Sequence, residues 1–215
     1  MSPSSSFNYS ILSALRQGLA QIGPTIRQIL PHGDHGLGTA SHLNGEMIIV
    51  DGEAYHFNSD NQLHKLEVPV HHDHLILTNP HQEPFLPDHA DLTHGTVASS
   101  SLEAELSSVS SPRWGNPYSS YRNVSNRNQP TMFGGLLFGF RSLGFSNGFS
   151  VAGFHLHFLS DDCNAGGHVT RLEAWDVKLS AAVIKEYRVM IHQEESHEVP
   201  IGDRAIKVNT RAAEG

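Results

Sequence analysis

The chain has 215 residues and a formal net charge of -8 with its sixteen histidines neutral, a balance that argues against nucleic acid and anionic lipid as partners. It is long enough to bury a core as one large domain or two small ones, and no apolar run approaches the about 20 residues of a membrane span. The lone Cys163 excludes an intrachain disulfide, and Met1-Ser2-Pro3-Ser4-Ser5-Ser6 lacks the basic-then-apolar pattern of a signal peptide, so a cytoplasmic protein is expected.

Residues 1–8 read as a disordered lead. From Ser10, the apolar positions Ile11, Leu12, Leu15, Leu19 and Ile22 recur at helical spacing and predict a helix that Gly23-Pro24 ends. A second short helix is predicted from Thr25 to Leu30, before Pro31. The next run, from His32 to Thr39, holds Gly33, Gly36 and Gly38 without the spacing of either phosphate-binding loop, and reads as a shaped turn. Glu46 to Val50 and Ala54 to Phe57, joined through Asp51-Gly52, predict a hairpin with Glu46 at its mouth, because Asp-Gly suits the tight turns that match strand twist.

Between Val68 and Asp91 stand Pro69, Pro80, Pro84 and Pro87, with one strand candidate at Leu75 to Leu77. His71-His72-Asp73-His74 invites a metal reading, but consecutive side chains on a strand point to opposite faces, so a solvated charged loop is expected there. Ser99 to Ser111 is serine-rich and reads as a linker or an edge strand. Met132 to Phe140 is a glycine-punctuated strand candidate; Val169 to Val183 and Tyr187 to Ile191 predict further strands, and a polar tail follows Glu194.

The densest chemistry lies at Phe154-His155-Leu156-His157-Phe158. With one residue between them on a strand, the two imidazoles share a face and the aromatics take the other, their roots about 7 Å apart at a rise of roughly 3.3 Å per residue. One metal ion can bridge that span. Ser160 to Gly167 carries enough Asp, Asn and Gly to turn the chain back and let His168 supply a third nitrogen. Three neutral imidazoles with an open position are the ligand set of a catalytic zinc, whereas structural zinc sites close with four ligands and favour thiolates, of which this chain has one. The alternative is a strand whose histidines sit on a solvated face.

Along nearly its whole length the chain resembles the acetolactate decarboxylases. The matching residues are Tyr9-Ser10 with Ala14-Leu15 and Gly18, then Gly33-Asp34-x-Gly36-Leu37-Gly38-Thr39, then Leu43-x-Gly45-Glu46-Met47-Ile48, and finally Gly153-Phe154-His155-Leu156-His157-Phe158 with Gly166-Gly167-His168-Val169. The resemblance implies a zinc enzyme that decarboxylates 2-acetolactate to acetoin through a metal-stabilised enediolate. It also implies a homodimer and an α/β fold of two subdomains built on mixed β-sheets, here 9–110 and 111–215, the second carrying the three-histidine zinc site and an active-site tail. On the matching positions His155, His157 and His168 become the zinc ligands. Glu46 becomes the active-site glutamate of the hairpin, Thr39 a substrate-binding residue, and Glu214 the glutamate that the C-terminal tail returns to the metal.

One part of the pattern is missing. Where the family delivers an arginine from an Arg-Thr-Val-Pro-like motif, this chain reads Ser108-Val109-Ser110-Ser111-Pro112-Arg113, which puts Val109 in the arginine's place. Arg113 is the candidate substitute, with Arg122 and Arg127 further away. The arginine matters because a cationic or acidic group has to hold the substrate carboxylate while the metal stabilises the charge left behind. Without it, the same site suits a zinc-dependent isomerase, cyclase or lyase acting on a different hydroxyketone. A non-catalytic metal-binding homologue is the third possibility, in which Glu46 is a hairpin-end carboxylate, Arg113 a loop charge and Glu214 a frayed terminus.

Overall fold

The computed structural model describes residues 5–19, 23–57, 63–67, 70–78, 134–169, 184–191 and 198–201, together with the backbone of short strands at 90–92, 97–98, 124–126, 129–133, 173–174 and 177–179. In chain order the first elements are β1 (Ser5–Tyr9), α1 (Leu12–Arg16), α2 (Ile26–Ile29), β2 (His35–Ala40), β3 (Glu46–Val50), β4 (Glu53–Phe57), β5 (Leu63–Lys65) and β6 (His72–Thr78). They are followed by β7 (Ala90–Leu92), β8 (Val97–Ala98), β9 (Val124–Asn126), β10 (Gln129–Phe133) and β11 (Gly135–Ser142). The last are β12 (Gly153–Ser160), β13 (Gly166–His168), β14 (Glu173–Ala174), β15 (Val177–Leu179) and β16 (Glu186–Met190).

A seven-stranded sheet in the order β16-β1-β6-β2-β3-β4-β5 forms the base of the fold. It is mixed, since β1 runs parallel to β16 and antiparallel to β6. A second sheet, β11-β12-β13, is antiparallel and carries the histidine strand. The remaining pairings, β10-β9-β14-β8 and β15-β7, are short. Through β16 the large sheet takes in the C-terminal half of the chain as well as the N-terminal one.

Period-2 alternation sorts the large sheet's side chains onto two faces. On one, Phe7, Tyr9, Met47, Ile49, Leu75 and Leu77 pack with Ile26 and Ile29 of α2. On the other, Leu37, Ile48 and Ile76 meet Phe138 and Phe140 of β11 and Leu159 of β12, so the three-stranded sheet lies over this face. Each large side chain so buried contributes about 1.5–3 kcal/mol. The histidine strand is thereby held against the strand that carries Glu46.

Several expectations are corrected. The lead assigned to 1–8 is ordered from Ser5 onward, because Ser6 and Asn8 bond each other at 3.2 Å while Phe7 and Tyr9 enter the core, which makes β1 an interior strand. The first helix stops at Arg16, and Gly18, at φ +77°, follows in a left-handed conformation that ends it. The second forms as expected, Ile26 to Ile29 between Thr25 as N-cap and Leu30 as C-cap, with a capping box in which Gln28 Oε1 accepts from Thr25 N–H at 2.8 Å.

The glycine-rich run from His32 is not a turn beyond Gly33. From His35 it becomes β2, buried throughout between β6 and β3. Its glycines are needed because β6 fills their space: a Cβ on Gly36 would press on the Ile76 carbonyl oxygen and lie 2.7 Å from Leu77 Cδ2, and one on Gly38 would press on the His74 carbonyl oxygen and lie 2.7 Å from Leu75 Cδ1. The supposed solvated loop at 71–74 is likewise mostly strand, with His72, Asp73 and His74 buried in β6. Met132 to Phe140 divides at Gly134 between two sheets. The hairpin at Asp51-Gly52 forms as expected, with φ +52° and +77° at the turn. Ser99 to Ser111 lies outside the described residues.

Candidate metal centre

Three backbone devices bring the histidines together. On β12, His155 and His157 pair with Phe140 and Phe138 of β11 and therefore face the large sheet beside those rings. The turn after Ser160 is built from its own polar groups: Ser160 Oγ donates to Asp162 Oδ1 at 2.6 Å and accepts from Ala165 N–H at 2.9 Å. That turn delivers His168 directly opposite His157. Cross-strand partners share a face, so all three imidazoles converge.

Their ring centroids form a nearly equilateral triangle, 5.1 Å from His155 to His157, 5.3 Å from His155 to His168 and 5.4 Å from His157 to His168. Roughly 5 Å is the spacing that tetrahedral geometry gives when nitrogen ligands stand about 2.0–2.1 Å from an ion. One ligand atom from each histidine lies within 4.8 Å of the others.

Glu46, at the first position of β3, completes the cluster from the opposite sheet. Its Oε2 stands 2.9 Å from His157 Nε2 and 3.6 Å from His168 Nδ1. His157 Nδ1 donates to the Met47 carbonyl at 3.2 Å, so in the neutral ring Nε2 carries a lone pair. A lone pair and a carboxylate oxygen at 2.9 Å repel unless a cation lies between them. Both atoms are buried without a hydrogen bond beyond that approach, and His155 Nδ1 is also buried without one. Glu46 Oε2 and His157 Nε2 are thus acceptors that face each other with no donor between them, and the donor set of imidazole nitrogens and a carboxylate is one that binds divalent zinc.

Electrostatics agree with that picture. Burial pushes the Glu46 carboxyl up, but positive charge on its imidazole side, the place a bound cation would take, outweighs it and holds the group well below the usual carboxylate range. Burial drives His155 well below its ordinary value, and repulsion from His157 and His168 adds to this, so its imidazole is neutral and able to ligate.

Thr39 lies opposite Glu46 on β2, buried, with a hydroxyl that makes no hydrogen bond. It therefore lies on the face that carries Glu46. Two contributors escaped the sequence: the Met47 carbonyl, and His74, which faces Thr39 from β6. The Leu75 to Leu77 run, extended backwards by one residue, was the signal for His74. Arg113 and Glu214 lie outside the described residues, as do Arg122 and Arg127.

A mixed sheet offering a carboxylate and a hydroxyl to three converging imidazoles brings together a donor set suited to a metal ion. The pattern described for alpha-acetolactate decarboxylase matches residues 6–199, and the chain belongs to that family of carboxy-lyases. It is 31% identical over 187 residues to the alpha-acetolactate decarboxylase of Streptococcus thermophilus, covering 76% of this chain and 77% of that one. To the enzyme of Brevibacillus brevis it is 27% identical over 205 residues, covering 86% of this chain and 72% of that one. The fold superposes on the crystal structure of alpha-acetolactate decarboxylase from Bacillus subtilis strain 168 with a TM-score of 0.79 at 20% identity, covering 99% of this chain and 100% of that one. Among the described residues no helix is long and apolar enough to cross a membrane.

Proposed function

We propose that this chain decarboxylates 2-acetolactate to acetoin, with zinc held by His155, His157 and His168. The observation that carries the reading is the convergence of three imidazoles on a buried, anionic Glu46 within a fold of this family. Zinc bound there would supply Lewis acidity without redox chemistry, stabilising the negative charge that develops as carbon dioxide leaves.

The chain's own groups do the rest. Breaking the bond from the carboxylate carbon to C2 leaves an electron pair at C2, delocalised toward the adjacent ketone, and a proton drawn from water must replace the lost carboxylate. Glu46, held anionic, accepts a hydrogen bond from the substrate hydroxyl and orients it; once it has taken up a proton it is a strong acid toward carbon. Thr39 offers its free hydroxyl as a donor to a substrate oxygen. Arg113 enters the proposal from sequence as the cation for the substrate carboxylate, Glu214 as a second carboxylate at the metal, and a homodimer as the assembly.

The test is full-length protein loaded with one equivalent of zinc, incubated with racemic acetolactate and assayed for acetoin. Acetoin formed well above the zinc-free rate is expected. Bound zinc without acetoin overturns the reaction and leaves the site to a hydroxyketone that carries no carboxylate, in keeping with Val109 at the arginine position. Failure to bind zinc overturns the whole reading.

A further inference from the structure

His74 has no role in the scheme above, yet it is buried beside the site. Thr39 is flanked in register by Glu46 on β3 and by His74 on β6, so the three form one row across adjacent strands: imidazole, hydroxyl, carboxylate. Directly opposed residues share a face, and this is the face covered by the three-stranded sheet. His74 is close enough to His155 to act on it electrostatically.

Its hydrogen bond to Phe149 runs from the large sheet to the connection between β11 and β12. His74 Nε2 lies 3.4 Å from the carbonyl oxygen of Phe149. Since a carbonyl only accepts, Nε2 carries the hydrogen, and burial keeps the ring neutral. Phe149 belongs to the connection from β11 to β12, a few residues before His155. That connection is also tied to α1, where Ser13 N–H donates to the Gly148 carbonyl at 2.7 Å. Two imidazole-to-carbonyl bonds thus tie the large sheet to the β11–β12 unit in opposite senses. His157 reaches from the histidine strand down to Met47, and His74 reaches from the large sheet up to Phe149.

We propose that His74 is a positioning residue of the metal centre: by holding the Phe149 carbonyl it fixes where β12 begins over the Thr39–Glu46 row, and so sets the spacing between His155 and Glu46. It touches neither metal nor substrate. A site whose groups come from two sheets needs such a brace, because relative sliding of the sheets would separate the triad from Glu46 without breaking any strand pairing. Outer groups that orient ligands are worth about 10- to 100-fold in metal affinity or activity.

The inference rests on the metal reading proposed above, and its test separates the two. Wild type, His74→Leu and His74→Gln are loaded with cobalt(II), whose visible bands report ligand geometry, and titrated for affinity while thermal unfolding is followed. The leucine keeps the bulk and removes the donor; the glutamine restores an N–H at a similar reach. His74→Leu is expected to bind cobalt about tenfold more weakly with altered visible bands, and His74→Gln to recover both toward wild type. A leucine variant with wild-type spectrum and affinity overturns the inference. So does a folded glutamine variant as impaired as the leucine one, and that arm still decides if the leucine variant fails to fold. Wild-type chain that takes up no cobalt removes the metal reading and this inference with it. Cobalt binding without acetolactate turnover removes only the proposed reaction.

Discussion

His155-Leu156-His157 and His71-His72-Asp73-His74 are both histidine-rich, yet only the first gathers its nitrogens. One intervening residue on β12 keeps two imidazoles on a face, and the turn back through Ala165 sets a third opposite them. In the second stretch the nitrogens and rings scatter. His71 Nδ1 donates to the Gly23 carbonyl at 2.6 Å, the His72 ring stands edge-on to Tyr9 at 5.0 Å, and His74 turns to Phe149. A break in register between Thr39 and Ala40 separates His74 from His72 further. Histidine count therefore says little, and spacing together with cross-strand register decides whether imidazoles ligate or fill space.

The contrast is broken most directly in the triad. His157→Ala removes a ligand and the bond to Met47 at once, so bound zinc should approach zero and turnover should fall by roughly a thousandfold, several kcal/mol of transition-state stabilisation. His71→Ala should leave both unchanged. Zinc analysis of the two purified variants checks the pair, and equal losses would erase the distinction.

Glu46→Gln comes next. It keeps shape and removes the charge that opposes the triad, and a loss of roughly a hundredfold in turnover is expected if the carboxylate handles a proton. Wild-type turnover would make Glu46 a bystander.

Acid should expose the second stretch. Burial, then repulsion from His74 and His71, brings His72 down to about 3, and burial brings His74 down to about 4. Between those values and the ordinary 6.5 the unfolded chain binds protons that the folded chain refuses, so stability is fully present above about pH 6.5 and drains as pH falls. About 1 kcal/mol per pH unit per histidine is expected from denaturant midpoints. Asp73, which burial raises, works in the opposite sense and reduces the slope. A midpoint that stays level from pH 6.5 to 4 would contradict buried, neutral rings.

The smallest effect is expected at Thr39, between the two histidine regions. Thr39→Val deletes a single unbonded hydroxyl and should raise KM about three- to tenfold, the scale of one hydrogen bond, with zinc content unchanged. An unaltered KM would take substrate away from that row.

What the sequence disclosed and what it hid follow the range of the interactions involved. The triad was legible because period-2 spacing and a turn rich in Asp, Asn and Gly are local signals, and Glu46 because Asp51-Gly52 announces its hairpin. β2 was hidden because its glycines look like loop. Their reason, the backbone and the Leu75 and Leu77 side chains of β6 lying against them, comes from a strand more than thirty residues away. β6 was cut short for a related reason: polar His72, Asp73 and His74 read as solvated until the neighbouring sheet covers them. β1 was hidden because its partners, β6 and β16, lie far along the chain. The parts played by Met47 and His74 run through inter-sheet contacts that no local pattern encodes.

The central claim is that a single metal ion is gathered by β12 and β13 and not by the stretch at 71–74. The most direct measurement is an anomalous difference map at the zinc edge from crystals of the full chain grown with one equivalent of zinc. The account predicts one peak about 2.0–2.1 Å from nitrogens of His155, His157 and His168, with Glu46 facing it from β3. A peak among His71, His72 and His74, or none between the three triad imidazoles, would contradict it.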